Sequence, residues 1–374
     1  MTAQETLQLM RTNGPSALLL LALAVAGCAE PRVAGAGPVG GLDAGVWENV
    51  TADLAGTPSE CGNLSWLAAS PDRDELIAGI ARQGLWSRPA GAATWTRLGT
   101  GAGSGAITNR TTTLIFDPVH AGIFWESGIY NSYGVYRSRD DGKSFAQLGL
   151  DFGAFNANCC EALSIDLADP ARLTMLAGGH ENGRHLFRSR DSGGSWTELG
   201  PKLPADAGNT SYPLVLSAQL LLVGSWFGPG GGVFRSTDGG ETWARVSSTP
   251  VHSQPLLHSD GSIYWLVDGN GGLIRSTDQG KTFTQATAGN LLLTTTAGVV
   301  EMPGGRLAAP GVSGHVLVSA DQGATWQQIN SALPITPTGL LYSTQQKAFY
   351  AWYWTCQVNG DAVAADAIQR LAFP

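Results

Sequence analysis

An eight-residue pattern, Ser-x-Asp-x-Gly-x-Ser/Thr-aromatic, recurs in register along the chain and limits the fold more than any other feature. It reads Ser138…Asp140…Gly142…Ser144-Phe145, then Ser189…Asp191…Gly193…Ser195-Trp196, then Ser236…Asp238…Gly240…Thr242-Trp243. Two further copies are Ser276…Asp278…Gly280…Thr282-Phe283 and Ser319…Asp321…Gly323…Thr325-Trp326. A worn copy, Ser87…Gly91…Thr94-Trp95, lacks the Asp and is one residue longer. The copies start 40 to 51 residues apart, the period of a four-stranded propeller blade. Within each copy the Asp can accept hydrogen bonds from N–H groups of its own turn. The Gly two residues on tolerates a left-handed φ, and the aromatic ring can be buried between neighbouring blades. Asp140, Asp191, Asp238, Asp278 and Asp321 are therefore read as structural. Four of these boxes follow an apolar strand ending in Arg, namely Arg137, Arg188, Arg235 and Arg275. A position that recurs once per blade suits a blade-to-blade contact better than a substrate clamp.

Six boxes close six blades, and the strand-like runs 338–343, 349–354 and 367–373 follow the last box with no box after them. The missing strand lies at the other end. Val46-Trp47-Glu48-Asn49-Val50 matches the strands after the boxes, such as Thr325-Trp326-Gln327-Gln328-Ile329. This predicts an all-β fold, a single seven-bladed β-propeller over residues 46–374. Its N-terminal strand closes the last blade and leaves no open sheet edge. The alternative is six blades with an appended hairpin. Composition agrees: 50 Gly and 19 Pro with 14% charged residues favour many short strands and tight turns over helices. The net charge of −8 argues against a nucleic-acid partner, which needs a basic footprint.

At the N-terminus, Leu18 to Ala26 is an apolar run preceded by Arg11. It is too short to span a bilayer but suits the core of a signal peptide over residues 1–27. Val25-Ala26-Gly27-Cys28 resembles the bacterial lipobox, which implies a lipid anchor on Cys28. Residues 28–45 are rich in Gly, Ala and Pro and read as a flexible tether. By the same resemblance, Ala29 after the Cys implies outer-membrane sorting. The expectation is a lipid-anchored protein of the bacterial cell envelope, at the outer membrane or cell surface.

Propellers usually meet ligands on the face made by the loops between blades and those between the second and third strands. These loops are assigned here as 52–63, 99–110, 149–161, 200–212, 247–255, 288–294 and 331–337, and as 80–84, 126–134, 179–184, 226–232, 268–272, 311–315 and 355–366. They hold four cysteines, Cys61, Cys159, Cys160 and Cys356. Cys61 and Cys356 fall in blades that adjoin once the ring closes, so a bridge between them is expected. Cys159 and Cys160 are then a vicinal disulfide or two thiols. The same loops carry Arg82, Arg110, Tyr130, Tyr133, His180, Arg184, Trp226, Asp268 and His315 as candidate ligand contacts, and Glu126, Glu161 and Glu181 as candidate catalytic acids. Aromatic rings beside carboxylates suit carbohydrate, and paired acids can cleave glycosidic bonds. His180-Glu181 and His315 lack a metal-ligand spacing, so neither a metal nor another cofactor is expected.

The repeat resembles the Asp-box, or BNR, repeat of sialidase-like propellers. Beyond the boxes, residues 114–205 resemble the first propeller of the xyloglucan-cleaving endoglucanases of glycoside hydrolase family seventy-four. The resemblance rests on Leu114-Ile115-Phe116-Asp117-Pro118, Ser127-Gly128-Ile129-Tyr130 and Glu161-Ala162-Leu163-Ser164-Ile165-Asp166. Those enzymes use two propellers with a catalytic Asp on each. Here the matching loop from Gly99 to Arg110 holds no carboxylate, and the counterpart position falls near Ser104. Single Asp-box propellers also include a photosystem II assembly factor that binds protein. Two readings follow: an exported propeller that binds an extracellular glycan or protein, and a glycoside hydrolase or polysaccharide lyase.

Overall fold

The computed structural model describes residues 42, 44–60, 63–132, 134–149, 160–180, 183–226, 230–287, 298–334, 336–353 and 362–374. Seven four-stranded antiparallel sheets account for the strands. In chain order the blades span residues 64–97, 110–148, 162–198, 209–247, 256–285, 300–332 and 339–372. The seventh sheet takes Glu48–Asn49 as its outermost strand, with Glu48 opposite Arg370 and Asn49 opposite Gln369. The ring is thus closed by the strand the sequence nominates, and the six-blade alternative falls. Trp47 donates its indole N–H to the Ser331 carbonyl of blade 6 at 3.1 Å. Trp196 does the same from blade 3 to Leu148 of blade 2, also at 3.1 Å. Trp47 therefore plays the part of a box aromatic without a box.

The apolar residues divide into one cluster per blade interface, without a single central core. Blades 2 and 3 share Trp125, Val135, Leu163, Phe187 and Trp196, while blades 6 and 7 share Met302, Val318, Leu340, Phe349 and Leu371. Blades 7 and 1 meet through Leu341, Tyr350, Leu64 and Leu76. A blade is covered on both faces, so its middle strands lose the usual in–out alternation. Phe124–Ile129 and Ala348–Trp352 are buried at every position. Ala348–Trp352 accordingly reads as a continuous apolar run, whereas Phe124–Ile129 carries the buried Glu126 and Ser127.

All five intact boxes share one hydrogen-bond pattern. In the box of blade 4, the Ser236 hydroxyl donates to Asp238 Oδ1 at 2.7 Å and accepts the Gly240 N–H at 2.8 Å. The Thr242 N–H donates to Asp238 Oδ1 at 2.9 Å, and its hydroxyl to Oδ2 at 2.6 Å. Gly240 has φ +93°, and a Cβ there would stand 2.5 Å from Leu199 of the preceding blade. The glycine thus serves both the turn and the close approach of two blades. In the worn box, the Asp53 carboxylate instead accepts the Trp95 N–H at 2.9 Å. Two of the recurring arginines make the expected contact with the next blade: Arg188 donates to the Gly239 carbonyl, and Arg235 to the Gln279 carbonyl at 3.0 Å. Arg275 turns back on its own blade, to Ser262 at 2.8 Å.

Candidate functional site

At the end of the ring away from the boxes, a mouth of about 310 Å³ is lined by blades 1 to 4 and by the connections leading into blades 5, 6 and 7. Its ring-bearing walls are Trp66, Tyr130, Tyr212 and Trp226, joined by Arg110, Glu161, His180, His252 and Gln254. The innermost strands of blades 1, 2 and 4 each slip register at the mouth end, between Leu64 and Trp66, Thr111 and Thr113, and Asn209 and Tyr212. A bulge re-aims the side chains around it. Ser65, Trp66, Thr112 and Tyr212, at or beside these slips, all line the mouth.

A hydrogen-bonded chain runs along one wall. The Tyr130 hydroxyl meets His180 Nε2 at 2.8 Å, and His180 Nδ1 meets the Glu161 carboxylate. His180 is buried at 7% exposure, and the Tyr130 ring stands edge-on to it. Tyr130 and Asn131 have φ of +60° and +54°, so a strained turn holds the phenol in place. Opposite, Trp226 stacks on His252 with centroids 4.2 Å apart and planes 7° from parallel, and donates to Ser211 at 3.2 Å. Burial pushes the His252 ring below its usual pKa, against the pull of Asp268 at 3.3 Å and of Glu161. Burial, and then Glu161 and Asp268, hold the Tyr212 hydroxyl well above the usual tyrosine range.

Gln254, between blades 4 and 5, reaches across the ring to blade 2. Its amide donates to the Thr112 carbonyl at 2.7 Å and to Thr113 Oγ1 at 2.8 Å. The bulge at Thr112 leaves that carbonyl outside the regular ladder. Gln254 lines both the mouth and a second cavity of about 300 Å³ on the far side, walled by Leu163, Ile165, Leu214 and Leu257. It forms the floor of the mouth and the roof of an apolar chamber.

Of the candidate residues from the sequence, Arg110, Tyr130, Glu161, His180 and Trp226 converge on this mouth. Arg82 pairs with Glu60 at 2.6 Å, and Arg184 caps the Leu203 and Pro204 carbonyls. His315, which opens the strand His315–Ser319, faces Ser313 at 3.3 Å. None of these three lines the mouth. Glu126 corrects the loop assignment: the strand Phe124–Ile129 runs through it, and the residue is 0% exposed. Burial, opposed by hydrogen bonds from Thr111 and Asn109, raises its pKa to about 8, so it stands protonated inside the blade. Ser104 donates to the Lys143 carbonyl at 3.2 Å and does not line the mouth. Cys28, Cys61, Tyr133, Cys159, Glu181 and Cys356 lie outside the described residues. Cys160 is buried and disulfide-bonded, and its carbonyl accepts the Thr112 hydroxyl at 3.1 Å.

The sequence reading did not single out Trp66, Tyr212, His252 or Gln254. Tyr212, His252 and Gln254 lie within the inter-blade loops assigned from the repeat, so the loop map contained them without distinguishing them. Trp66 sits on the innermost strand of blade 1, where only the register slip turns it to the mouth.

The BNR/Asp-box repeat family model matches residues 234–245. A xyloglucanase from Paenibacillus sp. is 25% identical over 269 residues, 66% of this chain and 23% of the relative. The chain therefore spans about a quarter of the length of that curated relative. Among solved structures, the GH74 enzyme of Niastella koreensis superposes with TM-score 0.60 at 17% identity, over 82% of this chain and 52% of that one. YCF48 bound to D1 peptide superposes with TM-score 0.56 at 17% identity, over 89% of this chain and 99% of that one. The chain is a seven-bladed β-propeller with Asp-box repeats, similar in sequence to a xyloglucanase and in fold to a GH74 enzyme and to YCF48.

Proposed function

We propose that this chain is an exported, lipid-anchored protein that binds an extracellular carbohydrate in the mouth of its propeller. The observation that carries the reading is the ring of Trp66, Tyr130, Tyr212 and Trp226 around a mouth floored by an amide, Gln254. Sugar C–H faces stack on such rings, while Arg110, Gln254 and Ser253 offer polar partners to hydroxyls. Among the described residues lining the mouth, Glu161 is the one carboxylate, and it is engaged by His180. Among these described residues no second carboxylate stands beside it for glycosidic hydrolysis by an acid pair. The similarity to a xyloglucanase supports a polysaccharide as ligand. Calorimetric titration of xyloglucan and other soluble polysaccharides tests it. Binding should weaken at least about ten-fold in Trp226→Ala, a loss of roughly 1.4 kcal/mol. Wild-type protein indifferent to every glycan would end the reading. The Cys28 anchor is tested by Cys28→Ala, which should release the protein from membranes.

The Tyr130–His180–Glu161 chain favours a second reading, eliminative cleavage of a uronate-containing polysaccharide. Arg110 would neutralise the uronate carboxylate, acidifying the C–H beside it. The Tyr130–His180 pair would take that proton and return one to the departing glycosidic oxygen, leaving a C=C bond in the product. Glu161 would orient His180. Tyr130→Phe should retain binding and abolish the ultraviolet absorbance of the unsaturated product. Absence of that product from wild-type digests of uronate polymers would exclude elimination.

A further inference from the structure

The opposite end of the ring carries a cavity of about 290 Å³ between blades 2 and 3, walled in part by Trp125, Arg137, Arg139, Arg172 and Ser192. It departs from the neighbouring interfaces in one respect. In blades 3 and 4, the arginine before the box donates to the carbonyl at the fourth box position of the next blade, Gly239 and Gln279 respectively. Arg137 occupies the same place in blade 2, with Ser192 as its counterpart acceptor. Yet its Nε is buried without a hydrogen-bond partner. Across the strand pair stands Trp125, 2% exposed, whose indole N–H is likewise buried and unpartnered. The residues in that cross-strand position in blades 3 and 4 are Leu176 and Leu222, which carry no donor. Arg139 adds an exposed guanidinium, and neither it nor Arg137 makes an ion pair with any described residue.

The acid on this cavity is already satisfied. Asp117 accepts Arg172 Nε at 3.0 Å and Nη2 at 2.8 Å, and the Val119 and His120 N–H groups at 2.9 and 3.0 Å. What remains is rich in donors and poor in acceptors: two guanidiniums and an indole N–H with no acceptor between them. Burial, and then the charge of Arg139, push the Arg137 pKa below the usual arginine value, as expected of like charges held without a counter-ion. An unpartnered buried donor is costly, and an oxyanion in this cavity would supply the acceptor that Arg137 and Trp125 lack.

We propose that the cleft between blades 2 and 3 binds a tetrahedral oxyanion, a sulfate or phosphate group, on Arg137, Arg139 and the Trp125 N–H. The site is independent of the mouth and lies at the other end of the strands. Calorimetric titration with inorganic sulfate and phosphate tests it. Wild-type protein should bind both, and Arg137→Gln/Arg139→Gln should bind at least about ten-fold more weakly. Arg235→Gln, whose guanidinium is already committed to Gln279, should bind as wild type. Circular dichroism and Tm verify that the variants are folded. Should the double variant fail to fold, Ser192→Asp, which adds a carboxylate to the wall and removes no arginine, should give the same loss. Galactose 6-sulfate binding more tightly than inorganic sulfate would identify a sugar-borne group, and weaker binding a free anion. Equal affinity in wild type and the double variant, or no wild-type binding at millimolar anion, would overturn the proposal.

Discussion

Glu126 shows how a single buried acid is governed by what surrounds it. Its folded pKa of about 8 stands above the ordinary glutamate value of 4.5, with burial as the leading cause. One carboxyl oxygen receives the Asn109 amide at 3.3 Å. A raised carboxyl pKa means the folded state holds a proton that the unfolded chain has already lost. The contribution to stability is therefore complete below about pH 4.5 and drains away as pH rises toward 8. Glu126→Gln should flatten that stretch of the stability–pH curve and raise Tm at pH 8, checked by thermal melts from pH 4 to pH 9. A Tm that falls equally in both proteins across that range would contradict the assignment. Gln254 acts at the same scale. Gln254→Ala removes two cross-ring hydrogen bonds and the wall between two chambers, and should cost about 1–3 kcal/mol in denaturant unfolding.

At the scale of the element, each box is a hairpin held by its own aspartate. The Ser144 hydroxyl and N–H hold the Asp140 carboxylate below its usual pKa, and Ser195 and Thr242 do the same for Asp191 and Asp238. For Asp278 and Asp321 the hydrogen bonds prevail over burial, which acts the other way. A depressed carboxyl pKa supplies stability that is present above the unfolded value near 3.8 and is lost as pH falls below it. Acid should therefore loosen several blades over one narrow range. Asp191→Ala should lower Tm at pH 7 and reduce the difference between the pH 7 and pH 3 melts. An unchanged difference would show that the box carboxylate does not carry the acid response.

The whole molecule depends on closing the ring. Each interface has its own apolar cluster, so a break at one exposes two blade faces to water. Trp47 sits at that closure, packed with the cluster shared by blades 6 and 7. Trp47→Ala should cost about 3 kcal/mol, read as a lower denaturant midpoint. Deleting residues 46–50 should make the seventh blade the first to lose amide protection in hydrogen exchange. Uniform protection around the shortened ring would refute the closure.

Repeat, blade count and closing strand were legible in the sequence because each box is local: eight consecutive residues satisfy their own turn, so the pattern survives without any neighbour. The same locality made Trp47 readable as a box aromatic far from any box. The mouth was legible only in part. Tyr130, Glu161 and His180 were nominated one by one from their loops, but their union into a single hydrogen-bonded chain requires blades 2 and 3 side by side. Glu126 was misplaced because a loop boundary off by four residues exchanges a solvated acid for a buried neutral one. Trp66 and Tyr212 reach the mouth through register slips, and Gln254 meets Thr112 142 residues away. The chain's own order thus determined the scaffold, since its hydrogen bonds close within each turn. Tertiary structure alone decided the site, since its groups are brought together by ring closure and by bulges that no local pattern encodes.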